Sequence, residues 1–146
     1  MSPLARDTVT LYMKHVDSVT KKDVWTRCIL SSVIWTQKTV RGMADGVLRL
    51  ARQTSVTIDS DVVAKIDGAG ATFVDPKAYA ALTDLQRGAK WTLDKGFVMV
   101  YGSGADIGTG YTIAQLKADS DSYCTIQVIG DNTKRALLNH WQVEAV

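Results

Sequence analysis

Few of the residues that staple a fold or hold a metal occur in this sequence. It has two cysteines and two histidines in 146 residues. Cys28 and Cys124 stand in β-type surroundings, "TRCIL" and "YCTIQV", without CxxC spacing or a neighbouring His/Cys cluster. They read as buried free thiols rather than a disulfide framework or a zinc site. His15 and His140 match no spacing used by zinc enzymes or nucleophilic triads, so no metal and no catalytic residue is expected. His15 shares a face with Leu11 and Met13 and reads as a histidine at the edge of the core.

Charge of one sign is also missing. Seventeen Lys and Arg against fifteen Asp and Glu leave a net charge of +2, too little for a global field that would name nucleic acid or membrane as the main ligand. No apolar run approaches the length of a membrane span, and "MSPLARDTVT" lacks the layout of a secretory leader. These features predict a protein made in cytoplasm, with no membrane partner. Internal repeats and low-complexity linkers are absent. Asp59 and Asp61, and again Asp119 and Asp121, fall close together but off the calcium-loop pattern, and read as solvated turns.

The most tempting motif fails on spacing. In "VMVYGSGADIGTGYTIAQL" the glycines at 102, 104 and 108 make G-x-G-x-x-x-G instead of G-x-G-x-x-G, and only 38 residues follow Gly108. A doubly wound nucleotide fold needs more chain than that. No cofactor is expected, and no acid, base and nucleophile stand at recognisable spacing, so the chain reads as no enzyme.

What is present is a chain with 46% apolar residues, long enough for one well-buried domain, residues 1–146. "TVTLYMKHV" alternates like a half-buried strand, and "DSVTKKD" then "VWTRCIL" complete a hairpin with a loop. "SSVIWTQKTV" continues the sheet past a bend at Ser31 and Ser32. Ser55 to Ile58 alternates as a strand, while residues 39–54 read as a strand or a long loop. "DPKAYAALTDLQRG" predicts a helix around 76–87, with Asp75 as N-cap, Pro76 first, Tyr79, Leu82 and Leu85 on one face, and Gly88 as terminator. Strands around Phe97–Tyr101, "YCTIQVIG" and "WQVEAV" follow, with a short helix after Thr112. The expected fold is mainly β: a small barrel or sandwich of six to seven short strands with one or two accessory helices.

Two residue groups bear on function. Trp25, Trp35, Trp91 and Trp141 are many for this length; they pack at barrel edges or, with His140, anchor a subunit interface. Lys38, Arg41, Arg49 and Arg52 gather in the segment around 39–54, as a solvated face or as a basic loop that meets DNA phosphates without reading sequence.

The order of the pieces resembles a known family. "DTVTLYMKHVDSVTKKDVWTRCIL", "SVIWTQK", "LDKGFVMVYG" and "NHWQVEAV" resemble the small neck proteins of long-tailed bacteriophages, the head-completion or stopper family. Asp17, Thr20 and Asp23 stand where that family has its polar turn; Lys95-Gly96 and the closing His140, Trp141 and Val143 also match. The helix around 76–87 departs from the family pattern. The resemblance implies a virion protein of the head-tail connector, assembled in the host bacterial cytoplasm. It implies a ring of copies, hexameric by expectation, with a portal or adaptor ring above and a tail terminator below. One long loop then faces packaged DNA, either around 39–54 or from Gly102 to Gly110. A tail-terminator or other minor capsid or tail protein is the alternative within that class. An oligonucleotide- or ligand-binding β-barrel is the alternative from another class.

Overall fold

Strand β1 (Asp7–Val16) and strand β2 (Asp23–Ala44) form the predicted opening hairpin, with Val16 opposite Asp23 and Leu11 opposite Cys28. Its turn is fixed by Asp17, whose Oδ1 accepts the amides of Val19 at 2.8 Å and Thr20 at 2.9 Å. Those two bonds hold the Asp17 carboxyl below its ordinary range. The polar Asp17 and Thr20 are thus turn chemistry, and Lys21 takes the left-handed φ of 60° that closes it.

The structure is a computed structural model that describes residues 7–17, 19–44, 46–105, 107, 112–120, 122–131, 133 and 140–146. After β2 come β3 (Val47–Ile66), β4 (Ala69–Gly70), β5 (Thr72–Phe73), α1 (Pro76–Ala80), α2 (Asp84–Arg87) and β6 (Lys90–Trp91). Then follow β7 (Val98–Tyr101), α3 (Ile113–Asp119), β8 (Tyr123–Asp131) and β9 (His140–Ala145). Strands β2, β1, β7, β8, β9 and β3 are neighbours in that order, and β2 pairs with β3 again. Six antiparallel strands therefore close into a barrel rather than a sandwich. Strand β4 adds to β3, and β5 pairs in parallel with β6 outside the wall.

A six-stranded barrel is narrow enough for side chains to fill it. Val9, Leu11, Met13, Leu30, Val33, Val56, Ile58, Met99, Ile126 and Val143 converge in one buried cluster. The segment between β4 and β7 sends Tyr79, Trp91, Leu93 and Phe97 into the same cluster. A second, smaller cluster lies on the other face of β1 and β7, where Leu116 of α3 covers Tyr12, Val98 and Val100. Strand β1 is consequently buried on both faces from Val9 to Met13, Thr10 and Tyr12 included, and not half-buried as its alternation suggests.

Four further expectations are corrected. The strands are not all short, since β2 has 22 residues and β3 has 20. Residues 39–54 are not a loop: Thr39 pairs with Arg52, Arg41 with Leu50 and Ala44 with Val47, so the segment is the far end of a β2–β3 hairpin. Residues 76–87 form two short helices instead of one. Thr83 Oγ1 accepts the Gln86 amide while Gln86 Oε1 accepts the Thr83 amide, a capping box that restarts the chain as α2. Leu85 then turns to solvent, 91% exposed, while Tyr79 stays in the core. Lastly, Asp59 and Asp61 lie within β3, not in a turn. Ser31 pairs with Val63 but Val33 with Ile58, so β3 bulges across Asp59–Val62 opposite Ser32, which has φ 68°.

Candidate functional site

The β2–β3 hairpin outruns the barrel that carries it. Pairing of β1 with β2 ends at Val33, and pairing of β9 with β3 ends at Thr54. Beyond these points β2 and β3 pair only with each other, from Lys38 opposite Gln53 to Ala44 opposite Val47. Seven paired positions at strand rise make an arm of about 23 Å. Among the described pairings its two outer edges have no partner strand, which in the wall of a closed barrel cannot occur.

Asp45 and Gly46 are the two residues between Ala44 and Val47, and Gly46 has φ 75°. An Asp-Gly pair between strands is a strong two-residue hairpin signal, because primed turns need left-handed backbone that glycine adopts without strain. That signal was available in the sequence and separates a ribbon from a loop.

The sequence-predicted basic residues come together on this arm. Over residues 38–53 the sequence has four basic residues, Lys38, Arg41, Arg49 and Arg52, and one acidic residue, Asp45. By register, positions 41 and 52 fall on one face of the ribbon and positions 38 and 49 on the other. The side chains of Arg41, Arg49 and Arg52 lie outside what the structure describes. Basic positions at both faces of a two-stranded ribbon suit contact with phosphates.

The root of the arm is polar and aromatic. Asp7 accepts the Trp35 amide at 2.9 Å through Oδ2 and the Tyr101 hydroxyl at 3.1 Å through Oδ1. The hydrogen bond to Asp7 raises the Tyr101 phenol above its ordinary pKa. The rings of Trp35 and Tyr101 meet edge to face at 5.7 Å, with Tyr101 48% exposed. On the outer wall, Thr57 Oγ1 donates to Gln142 Oε1 at 2.8 Å and Gln53 Nε2 to Glu144 Oε2 at 3.0 Å, tying β3 to β9 just below the arm.

The tryptophans separate into two groups. Trp91 and Trp141 are 2% and 6% exposed and stack with Phe73 inside the chain, so their surface is spent in the barrel's own core. Trp25 and Trp35 keep part of their surface, Trp25 with the Lys14 ammonium 5.8 Å from its ring. His140 is half-buried at the start of β9, opposite Asp59.

The glycine-rich segment is tied down where it is described. Thr10 Oγ1 donates to Gly102 O at 2.7 Å and accepts from Gly104 N at 2.8 Å. Tyr12 Oη donates to Ala105 O at 2.7 Å, and Arg27 Nη1 to Gly104 O at 2.8 Å. The amides of Gly102 and Gly104, the kind of group a phosphate-binding loop offers to its ligand, donate here to Thr8 O and Thr10 Oγ1 of β1. Gly108, Gly110 and Asp121 lie outside the described residues.

Two cavities flank Pro76. One of about 190 Å³ has Phe73, Leu93, Ile129 and Trp141 as apolar walls and Asp75, Asp94 and Asp131 among its polar residues. The other, about 270 Å³, opens between β1 and α1. Among the described residues no three His, Cys, Asp or Glu side chains are grouped to hold a metal ion. No described helix is long and apolar enough to cross a membrane.

The class defined by this architecture is a closed six-stranded β-barrel bearing a basic β-ribbon arm. The chain belongs to a family of unknown function, DUF6751, whose model matches residues 4–146. No curated protein and no solved structure matches it.

Proposed function

We propose that this chain is a non-enzymatic structural subunit of a long-tailed bacteriophage particle, a ring component of the head-tail connector that joins head to tail and helps retain packaged DNA. The observation that carries the reading is the arm: a two-stranded ribbon that leaves the barrel with four basic residues and one acidic residue over positions 38–53. In a ring, such an arm on each copy converges on the axis and meets phosphates through a sequence-independent charge contact. Its unpaired edges and the half-buried Trp25 and Trp35 give neighbouring copies surfaces for the head-to-tail contacts that close a ring. The portal or adaptor ring above and the tail terminator below are the neighbours this reading assigns.

Quantitative mass spectrometry of purified particles tests it, by comparing the copy number of this chain with that of the portal protein. A ratio near one ring per particle supports a connector or tail-terminator position. Hundreds of copies would move it to the shell or the tube, and absence from particles would overturn the structural reading.

The partly exposed Trp35 beside Tyr101 at the root of the same arm favours one second reading, a barrel that binds single-stranded nucleic acid by stacking and phosphate contact. Salt-dependent binding of an oligonucleotide by the isolated monomer would select it.

A further inference from the structure

The smaller cavity lies where the segment between β4 and β7 meets the ends of β8 and β9. Phe73 of β5, Leu93, Ile129 of β8 and Trp141 of β9 are its apolar walls. Its volume is about 190 Å³. A cavity of roughly 150 Å³ with similar walls already accommodates a benzene ring. Two of the walls are aromatic and fixed by packing: Phe73 and Trp141 meet at 4.5 Å between centroids, and Trp91 backs both of them at 4.9 and 5.4 Å.

All the charge in the lining is negative. Asp75 precedes α1, Asp94 lies in the connection between β6 and β7, and Asp131 ends β8, and no described lysine, arginine or histidine lines the cavity with them. The chain as a whole carries +2, so this grouping is not the overflow of an acidic surface. Three carboxylates brought from separate segments to one apolar space disfavour one another unless a cation joins them. Asp75 stands at the N-cap of α1, yet its side chain caps no helix amide, whereas Thr83 and Thr112 cap α2 and α3. Asp94 accepts the Lys95 amide at 2.8 Å through Oδ1, which leaves its Oδ2. Both residues are exposed and can meet a ligand that enters from water. Asp131 is fixed by Thr133, whose amide and hydroxyl donate to its Oδ1 at 2.9 and 2.6 Å.

We infer that this cavity binds a small organic cation, an ammonium or guanidinium group on an apolar body the size of one ring. The body fills the space between Phe73, Leu93, Ile129 and Trp141, and the cation stays at the opening with Asp75, Asp94 and Asp131. Apolar walls with a few polar groups are the usual form of a small-molecule site, and here the sign of those groups selects the ligand. Anions meet three like charges, and neutral molecules of the same shape gain only the apolar contact. The aromatic walls add attraction for a cation that a neutral head group lacks. The cavity shares no residue with the arm, so its occupancy is independent of DNA retention.

Titration calorimetry of the full chain at pH 7 and about 0.1 M salt, where distant charges are screened, tests this with benzylamine. Benzyl alcohol and benzoate serve as neutral and anionic probes of the same size, and methylamine as the cation without its body. Benzylamine binds, benzyl alcohol binds at least about tenfold more weakly, and benzoate and methylamine give no heat. Asp75→Asn and Asp94→Asn each weaken benzylamine binding about threefold, the scale of one exposed charge contact, and together about tenfold. Both variants melt within a few degrees of the parent, since Asp75 caps no amide and asparagine can still accept the Lys95 amide. Asp67→Asn, the same charge change at a turn outside the lining, weakens binding less than either. No heat from benzylamine, binding of benzyl alcohol or benzoate as tight as that of benzylamine, parent affinity in the double variant, or an equal loss in Asp67→Asn would overturn the proposal.

Discussion

Gly104 lies against Tyr12 so closely that a β-carbon at position 104 would collide with the Tyr12 hydroxyl, which is itself bonded to the neighbouring Ala105 carbonyl. The glycine is required there by space, since its φ is not in the left-handed region. Gly104→Ala should cost about 1–3 kcal/mol, the range for forcing atoms into a packed site. Tyr12→Phe should cost about 1 kcal/mol through the lost hydrogen bond. Because the collision is chiefly with the hydroxyl, the double variant should lose less than the sum of the two. Urea denaturation of all four proteins measures that coupling, and strict additivity would contradict the contact.

Trp141 joins β9 to the capping segment through Phe73 at 4.5 Å and Trp91 at 5.4 Å between ring centroids. Trp141→Ala should destabilise by about 3–5 kcal/mol. Trp141→Phe should cost clearly less, since the Trp141 Nε1 is buried without a hydrogen-bond partner and its removal forfeits no bond. Equal losses in the two variants would mean that the indole nitrogen matters more than the ring.

Burial pushes the Cys28 and Cys124 thiols up from 9.0 to about 12. A raised folded-state value means that the folded chain keeps its protons where the unfolded chain loses them. Stability is therefore full below pH 9 and declines above it, by about 1 kcal/mol per thiol at pH 10. The Cys28→Ala/Cys124→Ala variant should be less stable at pH 7 through lost packing, yet flatter between pH 7 and pH 10. Paired urea melts at the two pH values check the sign, and a thiol reagent should label the native parent slowly.

The arm should be separable from the barrel. Gln37 is directly opposite Thr54, so replacing residues 38–53 with Asn-Gly closes the hairpin at that pair without changing register. The shortened chain should melt within a few degrees of the parent, because the pairings of β2 with β1 and of β3 with β9 all lie outside residues 38–53. If the chain has the proposed connector role, the shortened form should no longer support DNA-filled particles, and Arg49→Ala with Arg52→Ala should reproduce part of that loss. Normal particles from the shortened chain would remove the arm from DNA retention.

Gly46 carries the reversal of the arm at φ 75°. A β-branched residue there pays for left-handed backbone, so Gly46→Val should cost about 1–2 kcal/mol. That cost should fall on the arm and leave the barrel melt nearly unchanged. Amide exchange should quicken across residues 39–52 and stay slow in β1. Uniform acceleration would mean that arm and barrel unfold together.

Much of the framework follows from local chemistry. The alternation in β1, the turn set by Asp17, the Asp75-Pro76 helix start and the closing strand over Trp141 are each dictated by neighbours in sequence. The Asp45-Gly46 turn and the Thr83 to Gln86 capping box were equally local, and they divide the segments around 39–54 and 76–87 differently from a loop and one helix.

Other features depended on contacts across the chain. Burial of Tyr12 on the outer face of β1 requires α3, about a hundred residues away in sequence, and closure of the barrel requires β2 to meet β3 beyond a bulge that no local pattern announces. The sorting of Trp91 and Trp141 inward and Trp25 and Trp35 toward the surface depends on which strands become neighbours. Asp75, Asp94 and Asp131 likewise share a cavity only because the segment between β4 and β7 folds over the barrel mouth. Sequence by itself determined the strands, turns and helix caps, because backbone dihedrals and hydrogen bonds within a few residues decide those. Tertiary structure alone decided which faces are buried and which charges meet, because long-range packing selects among pairings that local preferences leave equal.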